Sequence, residues 1–327
     1  MTALAEPVDL PGPPRLRRAE LASVAALVVF AIGLFGAALW GGGRQAWTTL
    51  LLVPPGLLPA LLGLSLVNYT MRGLRWLLFT RALRLNVPPA RNALYYVAGF
   101  SMTATPGKLG EALRLWLLRR YHGCAFERSA PLLVADRLTD GVATSAVVAL
   151  TVGWFAIYRL IAFGAVICVC AITLALLRPV LLRWALDFAF RLLRRWPRLF
   201  VRARRAVRGL QLIGKPWVLA LGIALSIIGW CAEGYSFSLL LHALGVGLAA
   251  PAAIFVFCFG MLVGAISFLP GGLGSTEATM VGLLVTQGVP LSTAVVATGV
   301  VRVTTLWFAI ALGLVALPLA LRRSAAE

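Results

Sequence analysis

Apolar runs long enough to cross a bilayer, parted by short connections rich in arginine, recur along the whole 327-residue chain and fix the solvent it folds in. A helix needs ~20 residues to cross about 30 Å of hydrocarbon. Runs of that length lie near 20–40, 56–80, 129–157, 160–177, 216–242 and 291–320. Lipid offers no partner to a free backbone N–H or C=O, so each run must be helical. The expected fold class is an all-α polytopic membrane protein with six full transmembrane helices. A composition 61% hydrophobic and only 13% charged excludes an ordinary soluble domain.

Two further apolar stretches, 91–104 and 251–269, are each followed by a Pro-Gly-rich turn and a short helical stretch, 109–120 and 275–287. Each arm is too short or too interrupted for a comfortable span. Each pair therefore reads as a re-entrant helical hairpin that dips into the membrane and returns.

The basic residues orient the chain. With the N-terminus inside, the cytoplasmic side receives Arg15, Arg17, Arg18, Arg81, Arg84, Arg91, Arg119, Arg120, Arg128, Arg322, Arg323 and every basic residue from Arg178 to Lys215. The outer loops keep Arg44 and Arg159. Both termini are thus expected in the cytoplasm. The chain then divides into a tail 1–19, a single membrane domain 20–320 and a tail 321–327. The run at 20–40 is read as an uncleaved span, not a signal peptide, because of its length. A net charge of +19 dispersed in short clusters does not call for nucleic acid. The basic segment 178–215, interleaved with Trp184, Trp196 and aliphatic residues, reads as interfacial helices on anionic lipid. Five cysteines show no zinc or disulfide spacing, and neither a metal nor another cofactor is expected.

An internal repeat sharpens the architecture. "TPGKLGEALRLWLL" and "LPGGLGSTEATMVGLL" share Pro-Gly-x-Leu-Gly followed by Glu-Ala, with two extra residues in the second copy. Arg137 stands 31 residues after Pro106, and Arg302 stands 32 after Pro270. Upstream, "FTRALRL" echoes "LLHALGV". One repeat is a span, a hairpin and a span, at about 56–157 and again at about 216–320. The chain crosses the membrane three times between the two starts, so the copies must be inverted. Inverted repeats place binding sites near the midplane, where interrupted helices meet.

The chemistry concentrates at the two turns. Pro106, Gly107 and Gly110, like Pro270, Gly271, Gly272 and Gly274, let the backbone turn and start a new helix inside the membrane. Its first N–H groups are unpaired and partly positive, which suits an anion. Lys108 adds a full charge. Glu111 and Glu277 fall in the first turns of those helices, where a carboxylate caps free amides. Arg137 and Arg302 come about halfway across their spans, where an uncompensated arginine costs ~2.5 kcal/mol or more. They are candidates for a phosphate clamp, for which the guanidinium fork is suited. Internal pairing is the other reading: Arg137 with Glu111, Asp136 or Asp140, and Arg302 with Glu277 or Glu233. Asp136 and Asp140 share a helical face. Arg114 is a further membrane-embedded cation. Arg72 and Arg75 also share a face near a span end, and snorkelling to the head groups is expected. Glu233 is a candidate for proton or cation coupling. His122 and His242 belong to no catalytic constellation, and no hydrolase, zinc-protease or nucleotide-binding motif is present.

"NALYYVAGFSMTATPGKLGEALRLWLL", "VADRLTD" and "FLPGGLGSTEATMVGLLVTQGVPLSTAVVATGVVR" resemble the lysylphosphatidylglycerol synthase transmembrane region family of flippase-like proteins. That family includes the flippase portion of the bacterial multiple peptide resistance factor. The resemblance runs from about 55 to 320. It implies movement of lipids between leaflets of a bacterial cytoplasmic (inner) membrane: aminoacylated phosphatidylglycerol, hopanoids or polyprenyl-linked sugars. The motif positions that carry over are Pro106, Gly107, Gly110, Glu111, Arg114, Asp136, Arg137 and Asp140, then Pro270, Gly271, Gly272, Gly274, Glu277 and Arg302. The chain departs from the family where Met102, Thr103, Ala104 and Thr105 replace the asparagine that often precedes the first Pro-Gly, and where Lys108 replaces an arginine. No aminoacyl-transferase segment follows the last span, so synthesis of the lysyl lipid is not expected.

The function expected is that of a lipid flippase, not an enzyme. It would carry an anionic or phosphate-bearing lipid, with the membrane lipid and anionic surface lipids as its partners. Two alternatives stay open: a membrane-embedded lipid- or glycolipid-modifying enzyme using Asp136, Asp140 and Glu111, and a secondary carrier for a small soluble anion.

Overall fold

The computed structural model describes residues 43–105, 109–154, 212–267 and 269–322, together with residues 160, 164, 167 and 210. Among these every element is helical. In the first half, α1 (Gly43–Leu51) precedes α2 (Leu58–Ala82). Next come α3 (Pro89–Ala98), running into a 3-10 turn at Gly99–Met102, then α4 (Leu109–His122) and α5 (Phe126–Thr151). The second half has α6 (Pro216–Ala243), α7 (Ala250–Ile266), a 3-10 turn at Pro270–Gly272, and α8 (Ser275–Thr286). Then α9 (Leu291–Arg302) passes through a π segment, Val303–Trp307, into α10 (Phe308–Leu321). The order long helix, two short arms, long helix thus occurs twice.

Two of these helices, Pro216–Ala243 and the continuous Leu291–Leu321, are long and apolar enough to cross a membrane. The helices α2 and α5, of 25 and 26 residues, reach about 37 Å at 1.5 Å per residue, but carry charged side chains along their length. The spans expected at 20–40 and 160–177 fall outside the described residues, apart from 160, 164 and 167. So do both tails, except Leu321 and Arg322, and the basic segment 178–215, except 210 and 212–215.

The helix ends explain the echo between "FTRALRL" and "LLHALGV". In α2 the Leu85 amide bonds the Thr80 carbonyl and the Arg84 amide bonds Arg81; in α6 the Val246 amide bonds Leu241 and the Gly245 amide bonds His242. Both are Schellman endings, with Arg84 at φ 52° and Gly245 at φ 76° in the left-handed position the motif requires. The shared text is therefore a shared way of stopping a helix. Proline then restarts the chain in both halves, at Pro89 in α3 and Pro251 in α7.

The two halves interlock. The helices α2 and α6 pack antiparallel, since Gly222 meets Phe79 and Arg75 while Gly229, two turns on, meets Asn68. Without a hydrophobic driving force in lipid, such close approach relies on small residues. Gly222, Gly229 and Gly234 supply it, the last seated against Ile254 of α7. The closing helix of each half packs on the hairpin of the other. Thus α5 joins α6 and α7 in a core with Ala143, Val147, Val148, Phe237 and Phe257. Likewise α10 lies on α3 and its 3-10 turn, in a core with Ala316, Leu317, Tyr96 and Phe100. Gly313 lets the backbone at Phe100 and Ser101 approach α10, and a Cβ there would overlap it.

Candidate functional site

The two hairpins meet at their tips. Ala104 of the first and Leu273 of the second share a small apolar cluster with Leu306, Trp307 and Ile310, and Gly271 lies against the Ala104 backbone. Pro106, Gly107 and Lys108 fall outside the described residues. The second tip is built on left-handed glycines: Gly271, Gly272 and Gly274 have φ 61°, 67° and 86°. The conformation is open to glycine and strained for other residues. Both hairpins also cross closely. Gly110 sits against the Gly99 carbonyl in the first, and Gly264 against the Thr276 side chain in the second.

Each glutamate that opens a post-tip helix is gripped by the arginine of the next helix. The Arg137 Nη2 donates to Glu111 Oε1, across 26 residues. Arg302 Nε donates to Glu277 Oε1 at 2.5 Å, across 25. Glu277 also caps α8, its Oε2 accepting from the Gly274 amide at 2.6 Å. Arg302 is further committed, donating to the Gly271 carbonyl at 2.8 Å and lying 3.7 Å from Met261 Sδ. Exposure separates the two pairs: the Arg302 side chain is 1% exposed and that of Arg137 is 43%.

The remaining candidates divide into two groups. Arg75, fully buried, donates through Nη2 to Asp136 and through Nη1 to Asp140, both at 2.5 Å, and to the Ser226 hydroxyl. Arg72 donates to the other Asp140 oxygen at 2.9 Å and stacks over Trp230, whose indole N–H also points at Asp140. This corrects the snorkelling expectation for both Arg72 and Arg75. Gly222 and Ser226 on α6 leave room for the Arg75 guanidinium between the helices, and the paired aspartates on α5 neutralise it where it lies. Arg114 is enclosed separately, its guanidinium 4.1 Å above Tyr96 and 5.4 Å from Trp76 and Phe100, with Nε donating to the Tyr96 carbonyl. It braces the first hairpin through cation–π contacts. Glu233 is buried in α6. His122 meets Tyr95 and His242 meets the Ser238 carbonyl, both at helix ends.

Three partners had no signal in the motif text. Ser226 and Trp230 complete the Arg72–Arg75–Asp136–Asp140 cluster, and Tyr69 donates its hydroxyl to the Thr305 carbonyl in the π segment. Asn68 is buried with neither end of its amide bonded. The spacing of Gly222, Ser226, Gly229 and Glu233 along one face of α6 was the available clue to a polar seam. Among the described residues no cluster of three metal-ligating side chains occurs.

Residues 23–313 match the family described as the lysylphosphatidylglycerol synthase TM region. Two proteins of Methanothermobacter thermautotrophicus, each called a UPF0104 membrane protein, are similar. One is 29% identical over 270 residues, covering 75% of this chain and 80% of its own length. The other is 40% identical over 89 residues, 27% of each chain.

Proposed function

Because the chain belongs to the lysylphosphatidylglycerol synthase TM region family, we propose that this membrane protein moves a phosphate-bearing lipid between leaflets, its head group passing the meeting point of the two hairpin tips. The observation that carries this reading is the contact of those tips, each followed by a helix whose first-turn glutamate is held by a mid-helix arginine. The start of α4, its dipole and the half-exposed Arg137 form the receiving end for the phosphate, with Lys108 adjoining in sequence. Acyl or prenyl tails stay in the bilayer. The antiparallel packing of α2 on α6, equivalent members of the two halves, supports an inverted-repeat arrangement in which one half rocks against the other. The arginine distribution favours both termini in the cytoplasm.

An enzymatic reading would need Asp136 and Asp140 as free acids or bases. Their engagement with Arg75 and Arg72 argues against that role. The test is reconstitution into liposomes carrying labelled phosphatidylglycerol. Transfer of label between leaflets with no new lipid species on chromatography is expected. A new product would replace this reading with the enzyme, and uptake of a water-soluble anion without lipid movement would replace it with the small-anion carrier.

A further inference from the structure

Glu233 lies on α6, is 4% exposed, and has no hydrogen-bond or ion-pair partner among the described residues. Asp136, Asp140, Glu111 and Glu277 each have an arginine. Glu233 is the exception among the carboxylates around the tips and the polar seam. Its charged and titratable neighbours are Tyr69 and Arg72 on α2, Asp140 on α5, Cys258 on α7 and Arg302 on α9. The two cations in that set are already engaged, Arg72 by Asp140 and Arg302 by Glu277 and the Gly271 carbonyl. The surroundings are otherwise short of partners. Asn68 faces Gly229, one turn before Glu233, with both amide atoms unbonded, and the Ser236 hydroxyl, three residues after it, is unbonded too.

A buried carboxylate with no donor bonded to it, its nearby cations already paired to other acceptors, is disfavoured in its ionised form, whereas a protonated one is tolerated and can itself donate. Two nearby guanidinium groups disfavour a metal cation at the same point, so the ligand that fits is a proton. We propose that Glu233 carries a proton in this conformation and gives it up when Arg72 turns from Asp140 to pair with Glu233, which ties head-group passage to proton movement. The proposal rests on the lipid-transfer reading. A head-group phosphate that draws on Arg72 as it passes the tips competes with Glu233 for that cation, so phosphate and proton bind together. By linkage each raises the affinity for the other by the same factor. When the head group leaves, the freed Arg72 guanidinium pairs with Glu233. The O–H bond then breaks with its electron pair left on the carboxylate, and the proton passes to water on the side to which the site is open.

The experiment uses the full chain in liposomes with labelled phosphatidylglycerol and an imposed pH gradient. Wild-type transfer is expected to run about fivefold or more faster with the proton gradient than against it, within the range of ordinary coupling energies. Glu233→Gln should transfer equally in both directions, and Glu233→Asp should keep the dependence. Infrared spectra should show a protonated-carboxyl C=O band in the wild type that is missing in Glu233→Gln. Gradient-dependent transfer in Glu233→Gln, or identical carboxyl bands in the two proteins, overturns the proton site. If the band is present but lipid does not move, the proton site stands and the lipid-transfer reading falls; lipid transfer without the band has the opposite meaning. Where Glu233→Gln does not fold, proton movement across the membrane during wild-type transfer of labelled phosphatidylglycerol, followed with a pH dye inside the liposomes, decides: protons moving with the lipid support the proposal, and transfer with no proton movement overturns it.

Discussion

The two hairpins carry the same device and set it differently. In both, an arginine from the next helix holds the glutamate that begins the post-tip helix, at separations of 26 and 25 residues. In the second hairpin that arginine also binds the Gly271 carbonyl and is closed off from solvent, while in the first it has Glu111 and stays open. One pair therefore acts as a brace for a glycine-built tip, and the other leaves a cation at an accessible edge. On the inverted-repeat reading proposed above, unlike settings in the two halves suit alternating exposure of a shared site, because the open and closed settings would exchange when one half moves against the other.

The comparison is broken most severely at Arg302. Replacing it by alanine leaves the Glu277 carboxylate and the Gly271 carbonyl without their partner in a nearly dry setting. Loss of one member of a buried ion pair costs about 3–5 kcal/mol. Arg302→Ala should therefore fall sharply in thermal unfolding measured in detergent, and should lose lipid transfer because the second tip is no longer held. Arg302→Lys should recover part of the stability, since it restores the charge but not the fork that reaches both acceptors. Stability equal to wild type in Arg302→Ala would show that the second pair is not a brace.

Why this asymmetry escaped the sequence is physical. The text of the repeat places Arg137 and Arg302 at matching distances from Glu111 and Glu277, and the second Pro-Gly turn lies where Pro270 and Gly274 predict it. The exposure of each arginine depends on what packs over it, and for Arg302 that cover includes Met261, 41 residues away. The central cluster was hidden for the same reason. Arg75 meets its aspartates across 61 and 65 residues and Ser226 across 151, so its place near a span end suggested water when the facing surface of α6 had a seat for it. Local rules reported turns and caps well. Burial, set by the interlocking of the halves, was legible only as the small-residue stripe Gly222, Ser226, Gly229.

A second, smaller effect sharpens the contrast at the hairpin crossings. A methyl added at Gly110 meets the Gly99 carbonyl, a backbone atom that moves only if the whole arm shifts. One added at Gly264 meets the Thr276 hydroxyl, which a side-chain rotation can withdraw. Overpacking of this kind costs about 1–3 kcal/mol. Gly110→Ala should lie toward the upper end and Gly264→Ala toward the lower, read from the same unfolding assay. The reverse order would mean that the first hairpin, despite its tighter backbone crossing, is the more yielding of the two.

The smallest effect on stability is expected at Arg137, and it separates structure from transport. Its side chain is 43% exposed and its described partner is Glu111, so the pair is worth at most about 1 kcal/mol after solvent screening. Arg137→Ala should unfold close to the wild type. If the open cation receives the phosphate, the same variant should nevertheless lose most of its transfer of labelled phosphatidylglycerol, and Arg137→Lys should regain some of it as a point charge without the bidentate fork. Glu111→Gln supplies the opposite control, since releasing Arg137 from its carboxylate leaves the cation freer for the head group and should not weaken phosphate binding. Normal transfer in Arg137→Ala would remove the open end from the path, leaving the first hairpin, like the second, a structural brace.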